Sequence, residues 1–176
     1  MSYTLENAGT YKPAGGSTYL STPEAWWNVL DREFHFTLDV AADDKNHMTE
    51  EYLTFEDDAL KIDWLDYQVE PGAMWMAPPW SQKVIHYWAK KAALEASRGG
   101  IVVGLMPVRT NTEWWHKHVL KAASEIRFID GQLNFRRMDN GVQPVNVQDA
   151  CLIVWSFGRV FAPVATSYPS KVRRKR

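Results

Sequence analysis

MWMAPPWSQ, residues 74–82, decides how the rest of the chain is read. A run of apolar side chains stops at two consecutive prolines, and Trp80 and Ser81 follow. Proline has no N–H, fixes its own φ and drives the preceding residue into an extended conformation. The stretch therefore predicts a buried strand that ends abruptly and holds its last carbonyls rigidly, with an aromatic ring beside them. Such a corner suits a planar heterocycle, held by backbone carbonyls and stacked on the ring. The same letters also fit a plain strand-to-helix turn where no N–H is needed.

Downstream, SQKVIHYWAKKAALEASRGG places Val84, Ile85, Trp88, Ala92 and Leu94 at roughly helical spacing and stops at Gly99-Gly100, a helix ending. IVVGLMP reads as another buried strand, VRTNTEWWHKHVLKAA as a loop and helix with Thr112 as a candidate N-cap, and EIRFIDGQLNFRR as two short strands about a glycine turn. ACLIVWSF is the last apolar strand before the tail. Upstream, Thr22 is a candidate N-cap, with Pro23 in the first helical position and Glu24 in the first turn. HFTLDVAA then predicts a strand with Asp39 at its end, and DDKNHMTEEYLTFEDDALKIDWL a polar loop with a helical turn. Continuous apolar strands alternating with helices predict an α/β sheet covered on both faces, with ligands at the carboxyl ends of the strands. Asp39 and the Ala77–Trp80 corner are the strand ends that carry polar chemistry.

At 176 residues, 45% hydrophobic and 23% charged, the chain has the length and composition of one globular domain. Its nine Trp are more than a core of this size ordinarily uses, so some are candidates to line a groove or stack on planar ligands. The formal charge is -1, yet KVRRKR at 171–176 carries five positive charges. A basic tail is a common counterion-releasing anchor on phosphates, or simply a solvated end. The lone Cys151 lies in an apolar run and reads as a small core residue. The first residues lack a basic start followed by an apolar block, so no secretory signal is expected. No apolar run approaches the ~20 residues of a membrane span.

STPEAWWNVLDREFHFTLDVAA, YLTFEDDALKIDW, PPWS, VVGLMPVRTNTEWWH and SEIRFIDGQLNF, in this order over about residues 20–157, resemble the phage-type DNA adenine-N6 methyltransferases. That resemblance implies a single-domain, Rossmann-like, three-layer α/β fold with a mostly parallel sheet flanked by helices, S-adenosylmethionine as cofactor and double-stranded DNA as partner. It divides the chain into an arm at 1–17, the methyltransferase domain at 18–165 and a basic tail at 166–176. It implies cofactor contacts at Ser21, Thr22, Pro23, Asp39 and Asp58, although the glycine-rich cofactor loop of larger methyltransferases is not evident.

The family's catalytic motif is Asp or Asn, then Pro-Pro, then an aromatic. An exocyclic adenine amine is a poor nucleophile because its lone pair is delocalised into the ring. The motif's side-chain oxygen and first proline carbonyl accept its two N–H groups, while the aromatic stacks on a base flipped out of the duplex. Pro78, Pro79 and Trp80 match; Ala77 stands at the acceptor position and marks it as defective. Losing one preorganised polar group at a reacting centre costs about 10²–10³-fold, so the resemblance implies an impaired enzyme. Either an introduced substitution or a natural loss of catalysis would leave this letter. The rival readings are a non-catalytic DNA-binding protein on the same fold and an adenine methyltransferase acting on RNA. The implied setting is a phage product in the bacterial cytoplasm that shields phage DNA from restriction.

Arg109 and Asn111 follow a strand and are candidates to contact DNA, with Trp114 and Trp115 as stacking groups or core. Arg127, Arg136, Arg137, Arg159 and, in the tail, Lys171, Arg173 and Arg174 are candidate phosphate contacts, the Arg136-Arg137 pair and the tail foremost. His116 and His118, two apart on a helix, do not face each other, and the chemistry needs no metal. Ser81 and His86 have no orienting acid at a matching spacing, so they do not read as a nucleophilic pair.

Overall fold

β3 (Ala73–Met76) is the strand that the opening stretch predicts, and all four of its residues are buried. It lies between β2 (Phe36–Asp39) and β4 (Ile101–Pro107) and runs parallel to both. Side chains alternate across a strand. Met74 and Met76 therefore enter the core on one face of the sheet, and Ala73 and Trp75 enter it on the other. Cover on both faces explains the lack of any polar alternation. The computed structural model describes residues 20–137, 143–147, 149–158 and 164–169.

The large sheet has six strands in the order β2-β3-β4-β8-β5-β9, with β5 at Glu125–Asp130, β8 at Ala150–Ser156 and β9 at Val164–Pro169. β8 runs antiparallel to both neighbours, β4 and β5, while β5 and β9 are parallel. Three of its five pairings are parallel, as expected, and β8 makes the sheet mixed. A parallel neighbour requires a crossover connection, usually a helix. Among the described residues no helix separates β5 from β8. Instead the chain makes β6 (Leu133–Arg137) and β7 (Gln143–Val147), which with β1 (Leu20–Ser21) form a small antiparallel sheet in the order β1-β6-β7. The two strands expected about Gly131 exist, but they belong to different sheets. β9 takes residues 166–169 of the expected tail into the large sheet.

α1 (Glu24–Phe34) buries Trp26, Trp27 and Leu30 against the face that carries Trp75, Val103 and Leu105. It starts one residue away from the expected register: Pro23 itself occupies the N-cap position, and its carbonyl accepts the amides of Trp26 and Trp27, each at 2.9 Å. At the other end His35 turns into the left-handed region, φ 52°. Asp31 secures this exit, its main-chain oxygen accepting His35 N–H and its Oδ1 accepting Phe36 N–H at 3.0 Å. α2 (Ile85–Ser97) lays Ile85, Ala89, Ala92 and Ala96 on the opposite face, against Met74, Met76 and Val102. It also buries Lys91 and Glu95 as an ion pair. The segment expected as a further helix winds wide at Trp115–Val119, where Leu120 N–H reaches the carbonyl of Trp115 at 2.9 Å. Thr112 does not cap it: its hydroxyl donates to the Arg109 carbonyl at 2.7 Å.

Seven of the nine Trp are buried, Trp114 and Trp115 among them, which leaves Trp80 and Trp88 partly accessible. Among the described residues no helix is long and apolar enough to cross a membrane.

Gly104 fixes how closely the layers approach. A Cβ there would lie 2.7 Å from Met76 Cε and 2.9 Å from Trp155 Cζ3. The methionine end can swing away, but the Trp155 ring is tethered by its indole N–H to the His118 carbonyl at 2.7 Å. Gly104→Ala is expected to cost ~1–3 kcal/mol in urea unfolding, and an unchanged midpoint would show that the ring yields.

Candidate active site

Because β2, β3 and β4 are parallel, Asp39, Met76 and Pro107 end at one edge of the sheet. β8 starts at that edge, with Ala150 opposite Pro107, and β5 finishes there. The connection through β6 and β7 therefore lies beyond it. α1 ends at the opposite edge, where the His35 carbonyl accepts Ala73 N–H at 3.1 Å. Its entry, Thr22 and Pro23, follows directly from β1, where Ser21 is the partner of Arg136 across the small sheet. Topology thus brings Thr22, Pro23, Asp39, the Pro-Pro corner and the Arg109 loop to the carboxyl end of the sheet.

The corner begins one residue after β3. Pro78 is buried and Ala77 partly buried, its methyl packed with the cluster beneath α1. Two successive residues without N–H leave only carbonyls to offer. Trp80 closes the corner. Its indole N–H donates to the Leu105 carbonyl at 3.2 Å, one residue beyond Gly104, where the β3–β4 pairing stops. Its ring packs against the clusters on both faces of the sheet. The Ser81 carbonyl then accepts the amides of Val84 and Ile85, and Ser81 Oγ accepts Lys83 N–H at 3.3 Å. Ser81 is therefore a turn former at the entry of α2.

Asp39 is turned inward rather than presented at the edge. It is 3% exposed, with Oδ1 accepting Ala41 N–H at 3.2 Å and Oδ2 accepting Met48 N–H at 3.1 Å. Its main chain adds bonds to Glu51 and Leu53, so the segment after β2 folds back along this strand. Within that segment Asn46 Oδ1 accepts Asp43 N–H and Asp43 Oδ1 accepts Lys45 N–H, each at 2.8 Å, in a tight turn, and the His47 ring stacks on Tyr52 at 4.2 Å. This folded segment is the part of the site region that reading the residues as polar loop did not reveal. Its signal was the Asp-Asp-Lys-Asn turn chemistry at 43–46.

Asp58 adopts a left-handed conformation, φ 51°, and pairs with Lys61 at 2.6 Å, its carboxylate partly accessible. Its neighbour Asp57 is consumed locally by the amide and hydroxyl of Thr54. Arg109 and Asn111 are exposed on the loop after β4, a loop anchored by Val108 N–H on the Asp149 carbonyl at 2.6 Å. Arg136 and Arg137 lie on β6, between β1 and β7. Arg127 is corrected: it is buried, its guanidinium bound in two places to Glu33 and also to Glu125, and it holds α1 to β5 instead of facing phosphate. Arg159, Lys171, Arg173, Arg174 and the arm at 1–17 lie outside the described residues. Trp114 and Trp115 are core. His118 is pushed down by burial and by Lys90, Lys117 and His86. Among the described residues no three His, Cys, Asp or Glu side chains come together to hold a metal ion.

Burial pushes the Asp39 carboxyl up to about 7 from 3.8, against the pull of the two backbone N–H groups and His47. Between those values the folded chain holds the proton that the unfolded chain has lost. Stability therefore falls as pH rises from about 4 to about 7 and levels off above. Asp39→Asn should flatten that slope in urea unfolding. It should also lower stability at pH 5 by ~1–3 kcal/mol, because an amide N–H₂ would face a backbone donor. A slope that survives the substitution would assign the titration to another group.

No curated protein matches the chain. A protein-family model described as DNA N-6-adenine-methyltransferase (Dam) matches residues 13–175. The match takes in both sheets, both helices and all the strand ends gathered above, and such a family transfers methyl groups to adenine in DNA. With that coverage, the chain belongs to the DNA N-6-adenine-methyltransferase (Dam) family.

Proposed function

We propose that this chain binds double-stranded DNA and S-adenosylmethionine at the carboxyl edge of its large sheet, seats a flipped adenine at Ala77–Trp80, and methylates N6 poorly. The observation that carries the reading is the corner itself: two successive residues without N–H, closed by a tethered indole, at the edge where three parallel strands end. Two prolines that offer carbonyls and no N–H suit a partner that donates, as an exocyclic amine does. The accessible carboxylate of Asp58 suits a hydroxyl-bearing cofactor in the same way. When bound, S-adenosylmethionine supplies an electrophilic methyl group on a sulfonium centre. Ser21, Thr22 and Pro23 at the entry to α1, together with Asp58, would hold it. Asp39 acts through the segment that it folds.

At the base, the Pro78 carbonyl accepts one N–H of the amine and Trp80 stacks on the ring. Position 77 offers a methyl group where a second acceptor is required. Arg109 and Asn111 reach the DNA from the rim, and Arg136, Arg137 and the tail residues Lys171, Arg173 and Arg174 meet phosphates. The family's own description names DNA, which favours it over RNA. The role is protection of phage DNA from restriction in a bacterial cytoplasm. The second reading, a DNA-binding protein that has lost catalysis, is favoured by one observation, Ala77.

Transfer of labelled methyl from S-adenosylmethionine to unmethylated duplex DNA separates the two. Ala77→Asp or Ala77→Asn is expected to raise transfer by about 10²–10³-fold over the chain as written, with the label on adenine N6. Should all three forms bind DNA and stay inert, the catalytic assignment fails and the binding protein takes its place.

A further inference from the structure

We infer that the Leu105 carbonyl is a positioning group for the adenine site, acting through the indole N–H of Trp80, and that it makes tryptophan the required aromatic in this corner. The inference rests on the proposed reading of the corner as the seat of the base. Stacking alone asks only for an aromatic face, which phenylalanine also supplies. The structure adds a directional constraint: Trp80 Nε1 donates to Leu105 O at 3.2 Å.

The acceptor is itself immobile. Leu105 pairs with Leu152 in the middle of a register that runs from Ile101 opposite Ser156 to Pro107 opposite Ala150. Beside it, Gly104 is packed so closely that no Cβ fits between Met76 and Trp155. The donor is held from its own backbone too. Pro79 fixes the dihedral before it, and the Ser81 turn leads at once into α2.

Rotation of the ring would break the bond and strip it from the clusters on both faces of the sheet. What remains exposed is therefore one defined part of the indole, at one tilt relative to Ala77 and Pro78. Phenylalanine has no N–H to hold that tilt, and the tyrosine hydroxyl extends from the ring tip instead of its side. The bond places the stacking surface before the base arrives, so the base does not bear the entropy of ordering it.

The test uses the chain as written, with its indoles labelled with ¹⁵N, and a pool of random-sequence duplexes. The indole signal absent from Trp80→Phe identifies Trp80. We expect its N–H to be protected from exchange with water and to shift when DNA is added. In the Ala77→Asp background, Trp80→Phe should lower kcat/KM by about threefold to tenfold, the worth of one neutral hydrogen bond, with circular dichroism unchanged. Trp80→Ala should lose considerably more. A Trp80 N–H that exchanges as fast as a free indole, or one unmoved by saturating DNA, overturns the inference even if Ala77→Asp transfers methyl groups. So does a Trp80→Phe form as active as its parent. A protected, DNA-responsive N–H alongside an inert Ala77→Asp form would sink the methyl-transfer reading and leave the positioned indole standing.

Discussion

Burial of β3 on both faces is the constraint from which the site follows. With Trp75 packed under α1 and Met74 and Met76 packed under α2, the strand cannot continue into solvent as a ribbon. Nor can it bend without exposing one of its faces. It has to leave the sheet at its carboxyl end, and the two prolines make that exit abrupt. The same burial sets the spacing of the layers, which Gly104 holds to within a methyl group. Trp80 then closes the gap between the end of β3 and the longer β4 by bonding to Leu105. Core packing and site geometry are one structure here, and the corner inherits its rigidity from the sheet.

On the proposed reading, that inheritance lets the corner be well formed while it lacks one acceptor. Alanine at position 77 changes nothing that the fold needs. Its methyl packs with the cluster below α1. On the proposed reading, what it withholds is an acceptor, and acceptors at a reacting nitrogen act on the rate rather than on stability. Asp39 shows the opposite allocation. A carboxylate at the end of the neighbouring strand is spent on two backbone amides, and its removal disturbs the fold first. Two positions on adjacent strand ends thus answer to different demands, one architectural and one chemical.

The sheet and the corner were legible because apolar runs bounded by prolines and glycines have few alternative structures. The strands at 36–39, 73–76, 101–107 and 150–156 and the helix that stops before Gly99 follow from pattern alone. Direction was less legible. Whether β8 runs with or against β4 depends on what connects them, and the small sheet that does so draws β1 from the far end of the chain. Burial of charge was not legible either. Lys91 and Glu95 interrupt the apolar face of α2 without any local sign that they pair inside it, and Arg127 looked like a phosphate contact until Glu33, from α1, was placed beside it. Arg127 is decided by a partner 94 residues away, which no short window of sequence contains, whereas Lys91 and Glu95 are four apart and only the burial of their pair was hidden. At the site, the resemblance named the residues, whereas the Leu105 carbonyl has no side-chain signature and required coordinates.

The central claim is that the corner is complete except for one acceptor. A crystal structure of the chain as written, bound to duplex DNA and S-adenosylhomocysteine, tests it most directly. The account predicts an adenine out of the base stack, its face on Trp80 and its amine on the Pro78 carbonyl, with no bond at Ala77. DNA lying on another face with every base stacked, or a base held in the corner by groups other than these, would contradict it.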